Sequence, residues 1–440
     1  MKKVKNRALS VIILVALAIF GMAFFVGRYV FLGEQWASAP FNATAFHGGV
    51  LAAGSVTDRN GVILADTVDG RRTFAADSDI RRATLHAVGD RDGNIGTGVM
   101  NVYAAQLMGY NIITGSYSLT GAGRRLELTI DAELSAVAMR ALAGRRGAVM
   151  LSNYETGEVL VMVSGPTFDP NDPPVSPDPA EGVFVNRAVQ SAFTPGSVYK
   201  IVTAAAAIDN ISGVFSRTFV CNGTLETGRG TVTCPSNHGS IDIIRAMEVS
   251  CNVAFGELAL ELGGERLEAY ARLFGLSRSN NVGSITTAPG NFEAAPDNTA
   301  DLAWSGIGQF TNTVCPASML RFVGAIANGG EAVELRLLQR TGLSRFISAG
   351  SERILEQNTA HRLANVIEIR NRQNFPGLEI YAKTGTAQVG GGYDPHAWFA
   401  GYITNEGFPY AFVVVVENGG GGAAVAAPIA NAVLQAAIAR

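Results

Sequence analysis

Residues Thr194-Pro195-Gly196-Ser197-Val198-Tyr199-Lys200-Ile201-Val202-Thr203-Ala204-Ala205-Ala206-Ala207-Ile208-Asp209 run from a Pro-Gly break into an alanine-rich apolar segment. Alanine is the strongest helix former, so 197–209 is predicted to be a helix with Ser197 in its first turn. A helix that is apolar on every side is a buried one, and a lysine on it is out of place unless it has work to do. Lys200 lies one turn beyond Ser197 on the same face, so its amine can reach the hydroxyl. A serine hydroxyl is a poor nucleophile until a neighbour removes its proton. Lysine can serve as that base only when burial or a second cation depresses its pKa. The helix N-terminus also turns backbone N–H groups towards Ser197, where one can face a developing oxyanion.

Two further groupings follow in order. Ser250-Cys251-Asn252 falls 53 residues after Ser197, in a break between two helical stretches. Its serine can pass a proton between the lysine and a leaving amine, and its asparagine can hold a peptide bond. Taken alone, the pair reads better as a helix cap. Lys383-Thr384-Gly385-Thr386 comes another 133 residues on, at the end of an expected strand. There a cation and two hydroxyls suit a carboxylate, Gly385 leaves room for substrate backbone, and the Thr386 N–H can complete an oxyanion hole. Lys383 would also be the second cation beside Lys200.

The elements around these motifs are strands, then helices, then strands again. Residues 126–130 alternate as a strand, Asp131 caps a helix to 143, and 147–152 and 158–164 are strands joined by a turn at 153–157. A proline-rich loop covers 166–179; at the far end, 378–383, 397–404 and 410–417 read as strands and 424–440 as a closing helix. This order predicts an α/β (α+β) domain, mainly antiparallel sheet flanked by helices. Ahead of it, 52–65 reads as a hairpin around Asn60-Gly61, 77–98 as a polar connection and 99–109 as a helix, with no catalytic grouping before residue 120.

Residues 8–27 are apolar but for Ser10 and continue past Arg28 to Leu32, enough to span a bilayer. Lys2, Lys3, Lys5 and Arg7 precede the run, which keeps the N-terminus cytoplasmic and sends the rest outside. Ala37-Ser38-Ala39 resembles a signal-peptide cleavage site, but Pro40 follows it and the run is long for a signal peptide, so a retained anchor is expected. The expected division is a cytoplasmic tail at 1–7, an anchor at 8–32, a non-catalytic module at 33–120 and the catalytic domain at 121–440.

With 34 basic against 37 acidic residues, the charge balance argues against a nucleic-acid partner. Of four cysteines, Cys221 and Cys234 flank a turn-rich stretch that would bring them together as a possible disulfide, while Cys251 and Cys315 read as single thiols. There is no CxxC pair, and the five histidines lack i, i+4 or HExxH spacing, so no metal site is expected.

The set Ser197-Val198-Tyr199-Lys200, Ser250-Cys251-Asn252 and Lys383-Thr384-Gly385 resembles that of penicillin-binding proteins and class A β-lactamases. The likeness to class B penicillin-binding proteins runs further, through Asp58-Arg59-Asn60-Gly61, His238-Gly239, Gly308-Gln309 and Trp398-Phe399-Ala400-Gly401. It implies a penicillin-binding transpeptidase fold and acylation of Ser197 by a D-Ala-D-Ala stem peptide of peptidoglycan, or by a β-lactam. Ser197, Lys200, Ser250 and Lys383 would be catalytic; Asn252, Thr384, Gly385 and Thr386 would bind substrate. It further implies no cofactor, a membrane location, and a membrane glycan polymerase as partner. Ala53 and Phe310 depart from the family pattern, which usually has Arg and Gly there. A serine β-lactamase or β-lactam sensor, a D,D-carboxypeptidase and a non-catalytic scaffold are the alternatives.

Overall fold

The computed structural model describes residues 2–37, 54–68, 71–108, 123–175, 178, 181–340 and 349–440, and the side chains of 11–28 within the first helix. Ser38, Ala39 and Pro40 of the cleavage-like sequence, Ala53 and Gly109 lie outside the described residues.

Helix α1 (Lys2–Ala37) contains one apolar stretch, Val11–Arg28, that is long and apolar enough to cross a bilayer, and none of it is buried against protein. A helix apolar all round with no protein to cover it fits a membrane anchor.

The largest sheet among the described residues has five strands. These are β1 (Gly147–Asn153), β2 (Val159–Gly165), β3 (Ile380–Ala387), β4 (His396–Ile403) and β5 (Tyr410–Val416), in the spatial order β3-β4-β5-β1-β2 and antiparallel throughout. The central pairing joins Val416 to Gly147 and Tyr410 to Asn153, so the first hairpin and the last meander of the domain become one sheet.

Both faces of that sheet are covered, which is why β5 reads as an uninterrupted apolar run and not as an alternation. On one face Val149, Leu151, Phe399, Phe412 and Val414 pack with Leu134 and Leu142 of α2 (Ala132–Leu142) and with Ile429 and Val433 of α6 (Ala426–Ile438). On the other, Ala148, Met150, Trp398, Val413 and Val415 meet the helices of the long segment between β2 and β3. At the centre of that segment is α3 (Lys200–Asn210), buried from Lys200 through Ile208, accompanied by α4 (Asn252–Leu262) and α5 (Pro316–Ala327).

A second sheet has the spatial order Arg71–Phe74, Ile63–Val68, Val56–Thr57 and Leu126–Glu127, the last pair parallel. The expected strand at 126–130 is therefore short. Beyond Glu127 the chain leaves this sheet, and Leu128 bridges to Leu338. The expected helix at 99–109 is two short helices, Val99–Val102 and Ala104–Leu107, broken at Tyr103, whose hydroxyl accepts the Ser284 N–H.

The Asp58-Arg59-Asn60-Gly61 turn docks on the start of α2. Asp58 is fully buried and accepts the N–H groups of Asn60, Val62 and Ala132, while Asn60 donates to Asp131, which caps α2.

Candidate active site

Ser197 does not stand in the first turn of an α-helix. It lies in a 3-10 turn, Gly196–Tyr199, and the α-helix begins at Lys200. Gly196 sits at φ +55, and a Cβ there would come within 2.9 Å of Thr386 O. The turn is held on three sides: Gly196 N–H donates to Gly308 O, Trp398 Nε1 donates to Thr194 O, and Gly385 of β3 packs beneath Pro195.

Gly385 accordingly has a different reason from the one expected. A Cβ at this position would lie 2.7 Å from Pro195 O and 3.1 Å from Val198 and Trp398 side-chain atoms. The missing side chain makes room for the protein's own Ser197 turn. The motif runs to one residue short of the end of β3, as expected: Lys383 pairs with Ala400 and Thr386 with Ala397.

Lys200 is fully buried, and its Nζ donates to Ser250 O at 2.6 Å, Ser250 Oγ at 3.1 Å and Asn252 Oδ1 at 2.8 Å. These three acceptors fix where the amine sits. Among the described residues no hydrogen bond joins Lys200 Nζ to Ser197 Oγ; the lysine is oriented by partners 50 residues away. Ser250 reaches it from φ +56, a left-handed conformation between the helix Ile243–Glu248 and α4, and Asn252 Nδ2 is held by Thr233 O.

Burial pushes the Lys200 pKa well below its usual value, and the charge of Lys383 pushes it the same way. Burial alone brings Lys383 down to about 8. Its Nζ donates to Thr384 O, and it stands behind the cleft wall, where Thr384 and Thr386 face the open space.

A cleft of about 730 Å³ brings together Ser197, Ser250, Asn252, Thr384 and Thr386, a size suited to a small ligand. Its opposite wall was not read from sequence as part of the site: Asp301, Trp304 and Phe310 line it, beside Gln309. The Gly308-Gln309 pair is a signal for this wall. Phe310 is held at φ +64 and is 46% exposed at the cleft. A bulky residue there is strained unless its surroundings impose the conformation.

Linear spacing hides a second grouping. Cys221, Cys234, His238 and Cys251 converge, their ligand atoms all within 4.8 Å of one another, so Cys251 is not a solitary thiol. All four cysteines are free thiols, and Cys315 stands apart, buried. Two hairpins create the convergence: Phe219–Cys221 pairs with Gly239–Ile241, enclosing Thr224–Glu226 paired with Thr231–Thr233.

Residues 147–435 match the family model described as penicillin binding protein transpeptidase domain. Among curated relatives, the chain is 28% identical over 338 residues to the peptidoglycan D,D-transpeptidase PbpA of Mycobacterium tuberculosis, covering 67% of each chain. It is also 28% identical over 309 residues to the peptidoglycan D,D-transpeptidase MrdA of Acinetobacter baumannii, covering 61% of this chain and 45% of that one. Among solved structures, penicillin-binding protein A of M. tuberculosis in its ceftriaxone acyl-enzyme complex superposes with a TM-score of 0.77 at 23% identity, covering 90% of this chain and 99% of that one. The D,D-transpeptidase domain from Eggerthella lenta gives 0.72 at 26% identity, over 89% and 99%. The chain belongs to the penicillin-binding protein transpeptidase family, among the class B penicillin-binding proteins.

Proposed function

We propose that this chain is a peptidoglycan D,D-transpeptidase working through an acyl-enzyme on Ser197, and that β-lactams acylate the same residue. The observation that carries the reading is a buried lysine, Lys200, held by Ser250 and Asn252, which line a cleft that also presents Ser197, Thr384 and Thr386.

The steps follow from the chemistry of those groups. Lys200, neutral because burial and Lys383 disfavour its charge, takes the Ser197 proton as Oγ attacks the carbonyl of the penultimate D-Ala. Backbone N–H groups of Ser197 and Thr386 stabilise the oxyanion. Ser250 passes the proton to the departing D-Ala amine, leaving the acyl-enzyme. An amine from a neighbouring stem peptide then attacks, and its proton returns along the same path. Asn252 holds the substrate amide, and the Thr384 and Thr386 hydroxyls take the terminal carboxylate with the Lys383 charge behind them.

The anchor retains its N-terminus in the cytoplasm and holds 121–440 on the outer face, where a membrane glycan polymerase is the partner that the family implies. The basic residues before Ala8 and the apolar run Val11–Arg28 support the orientation. A reporter active only in the cytoplasm, fused after Arg440, is expected to stay silent.

Labelled penicillin tests the chemistry. The wild-type chain should carry one adduct, located on Ser197 by peptide mass spectrometry, and Ser197→Ala should carry none. An adduct on another serine, or labelling of Ser197→Ala at the parent rate, sinks the mechanism.

A further inference from the structure

Cys221, Cys234, His238 and Cys251 form a cluster that the transpeptidase chemistry does not use. Their ligand atoms lie within 4.8 Å of one another, with Cys221 and Cys251 buried and Cys234 and His238 half-buried. Distances inside the cluster are those of a tetrahedron's edges. Cys234 Sγ is 4.0 Å from Cys251 Sγ and 3.5 Å from His238 Nδ1. With zinc–sulfur bonds near 2.3 Å and zinc–nitrogen bonds near 2.0–2.1 Å, tetrahedral geometry puts the edges at about 3.8 Å for S···S and about 3.6 Å for S···N. A disulfide needs about 2.05 Å between sulfurs, so closing one would pull two members out of the arrangement.

The surroundings are those of bound thiolates. Asn252 N–H points at Cys234 Sγ at 3.2 Å and Ala254 N–H at Cys251 Sγ at 3.4 Å. Backbone donors of this kind carry part of the negative charge that metal-bound sulfur keeps, and they orient the ligand. No carboxylate joins the set, and three sulfurs with one imidazole select zinc over calcium, magnesium or manganese.

We infer that Cys221, Cys234, His238 and Cys251 are the four ligands of a structural zinc ion that ties two hairpins to the first residues of α4. Four protein ligands close the coordination sphere, so the ion has no open position for chemistry. Its effect reaches the cleft through the chain, because Cys251 is flanked by Ser250 and Asn252, the partners of Lys200, and Cys234 itself lines the cleft. The ion braces that loop in the short hairpins, which have little core of their own. The assignment stands on this geometry and not on the transpeptidase reading.

The test uses the full chain in detergent, prepared without chelators. Elemental analysis should return one zinc per chain. After the ion is stripped under reducing conditions, titration with cobalt(II) should saturate at one equivalent, with the intense visible bands of a tetrahedral site and a sulfur-to-cobalt charge-transfer band. Cys221→Ser should lower that band by about a third, three thiolates becoming two, whereas Cys315→Ala should leave it unchanged. The wild-type measurements stand even if the Cys221 variant misfolds. A native chain without metal whose apo form gives no tetrahedral cobalt spectrum overturns the assignment. So does a Cys221–Cys234 disulfide found in the unreduced native protein.

Discussion

Gly385→Ala separates two reasons for a glycine in the Lys383-Thr384-Gly385 motif. The added Cβ would stand 2.7 Å from Pro195 O and 3.1 Å from Val198 Cγ1 and Trp398 Cβ. The first distance is closer than a carbon and a carbonyl oxygen tolerate, and Pro195 is backbone that cannot swing aside. The turn carrying Ser197 must therefore move by several tenths of an ångström. Overpacking of this kind costs about 1–3 kcal/mol, a fall in Tm of roughly 1.5–5 °C for a domain of this size. A displacement of that order at the nucleophile slows acylation by about tenfold or more, given the roughly hundredfold loss for 1 Å. Both readouts should move together: thermal melting of the unliganded protein, and the rate of fluorescent penicillin labelling under single-turnover conditions. Labelling at the parent rate with an unchanged Tm refutes the reasoning. Slow labelling with an unchanged Tm refutes it as well, because the room would then belong to the substrate.

Other expectations rest on single contacts. Acylation should rise with pH as Lys200 loses its proton, and should weaken again above about 8, where Lys383 becomes neutral. Lys383→Met should shift the rising limb to higher pH, since burial then acts on Lys200 without a neighbouring cation; a limb that stays in place in the pH profile of penicillin labelling argues against the coupling. Asp58→Ala leaves three backbone donors, on Asn60, Val62 and Ala132, without their acceptor. At about 1–3 kcal/mol each for those that water does not reach, the melting temperature should drop clearly, and a parent-like melt would contradict that role. Phe310→Gly should raise Tm slightly, by relieving a left-handed backbone worth about 1 kcal/mol, yet change the relative labelling rates of β-lactams with different side chains. Unchanged selectivity would remove the ring from the substrate wall.

Much of the domain was legible because its signals are local. Asp131 caps the helix it precedes, the Asn60-Gly61 turn puts Gly61 at φ +85, and the apolar runs at β1, β4 and β5 are strands buried on both faces. The order of the three motifs was legible too, since each needs only a few adjacent residues. The apolar segment near the N-terminus follows from length and composition alone.

Short stretches of chain thus picked out candidate groups for the chemistry and the segments that become helix or strand. The tertiary structure decided which of them meet. The pairing of Val416 with Gly147 joins strands from opposite ends of the domain, and no local preference encodes that partner. Lys200 sits one turn from Ser197, as spacing requires, but its hydrogen-bond acceptors are Ser250 and Asn252, brought in at the start of α4. Gly385 is needed for a turn that lies far away in the chain. The Cys221, Cys234, His238 and Cys251 cluster has no recognisable spacing because two hairpins and a helix start supply its members, and their meeting depends on how those elements pack. Helix caps, turns and apolar periodicity act over about four residues along the chain and can be read there, whereas contacts across the fold exist only once burial of the shared core has set the topology.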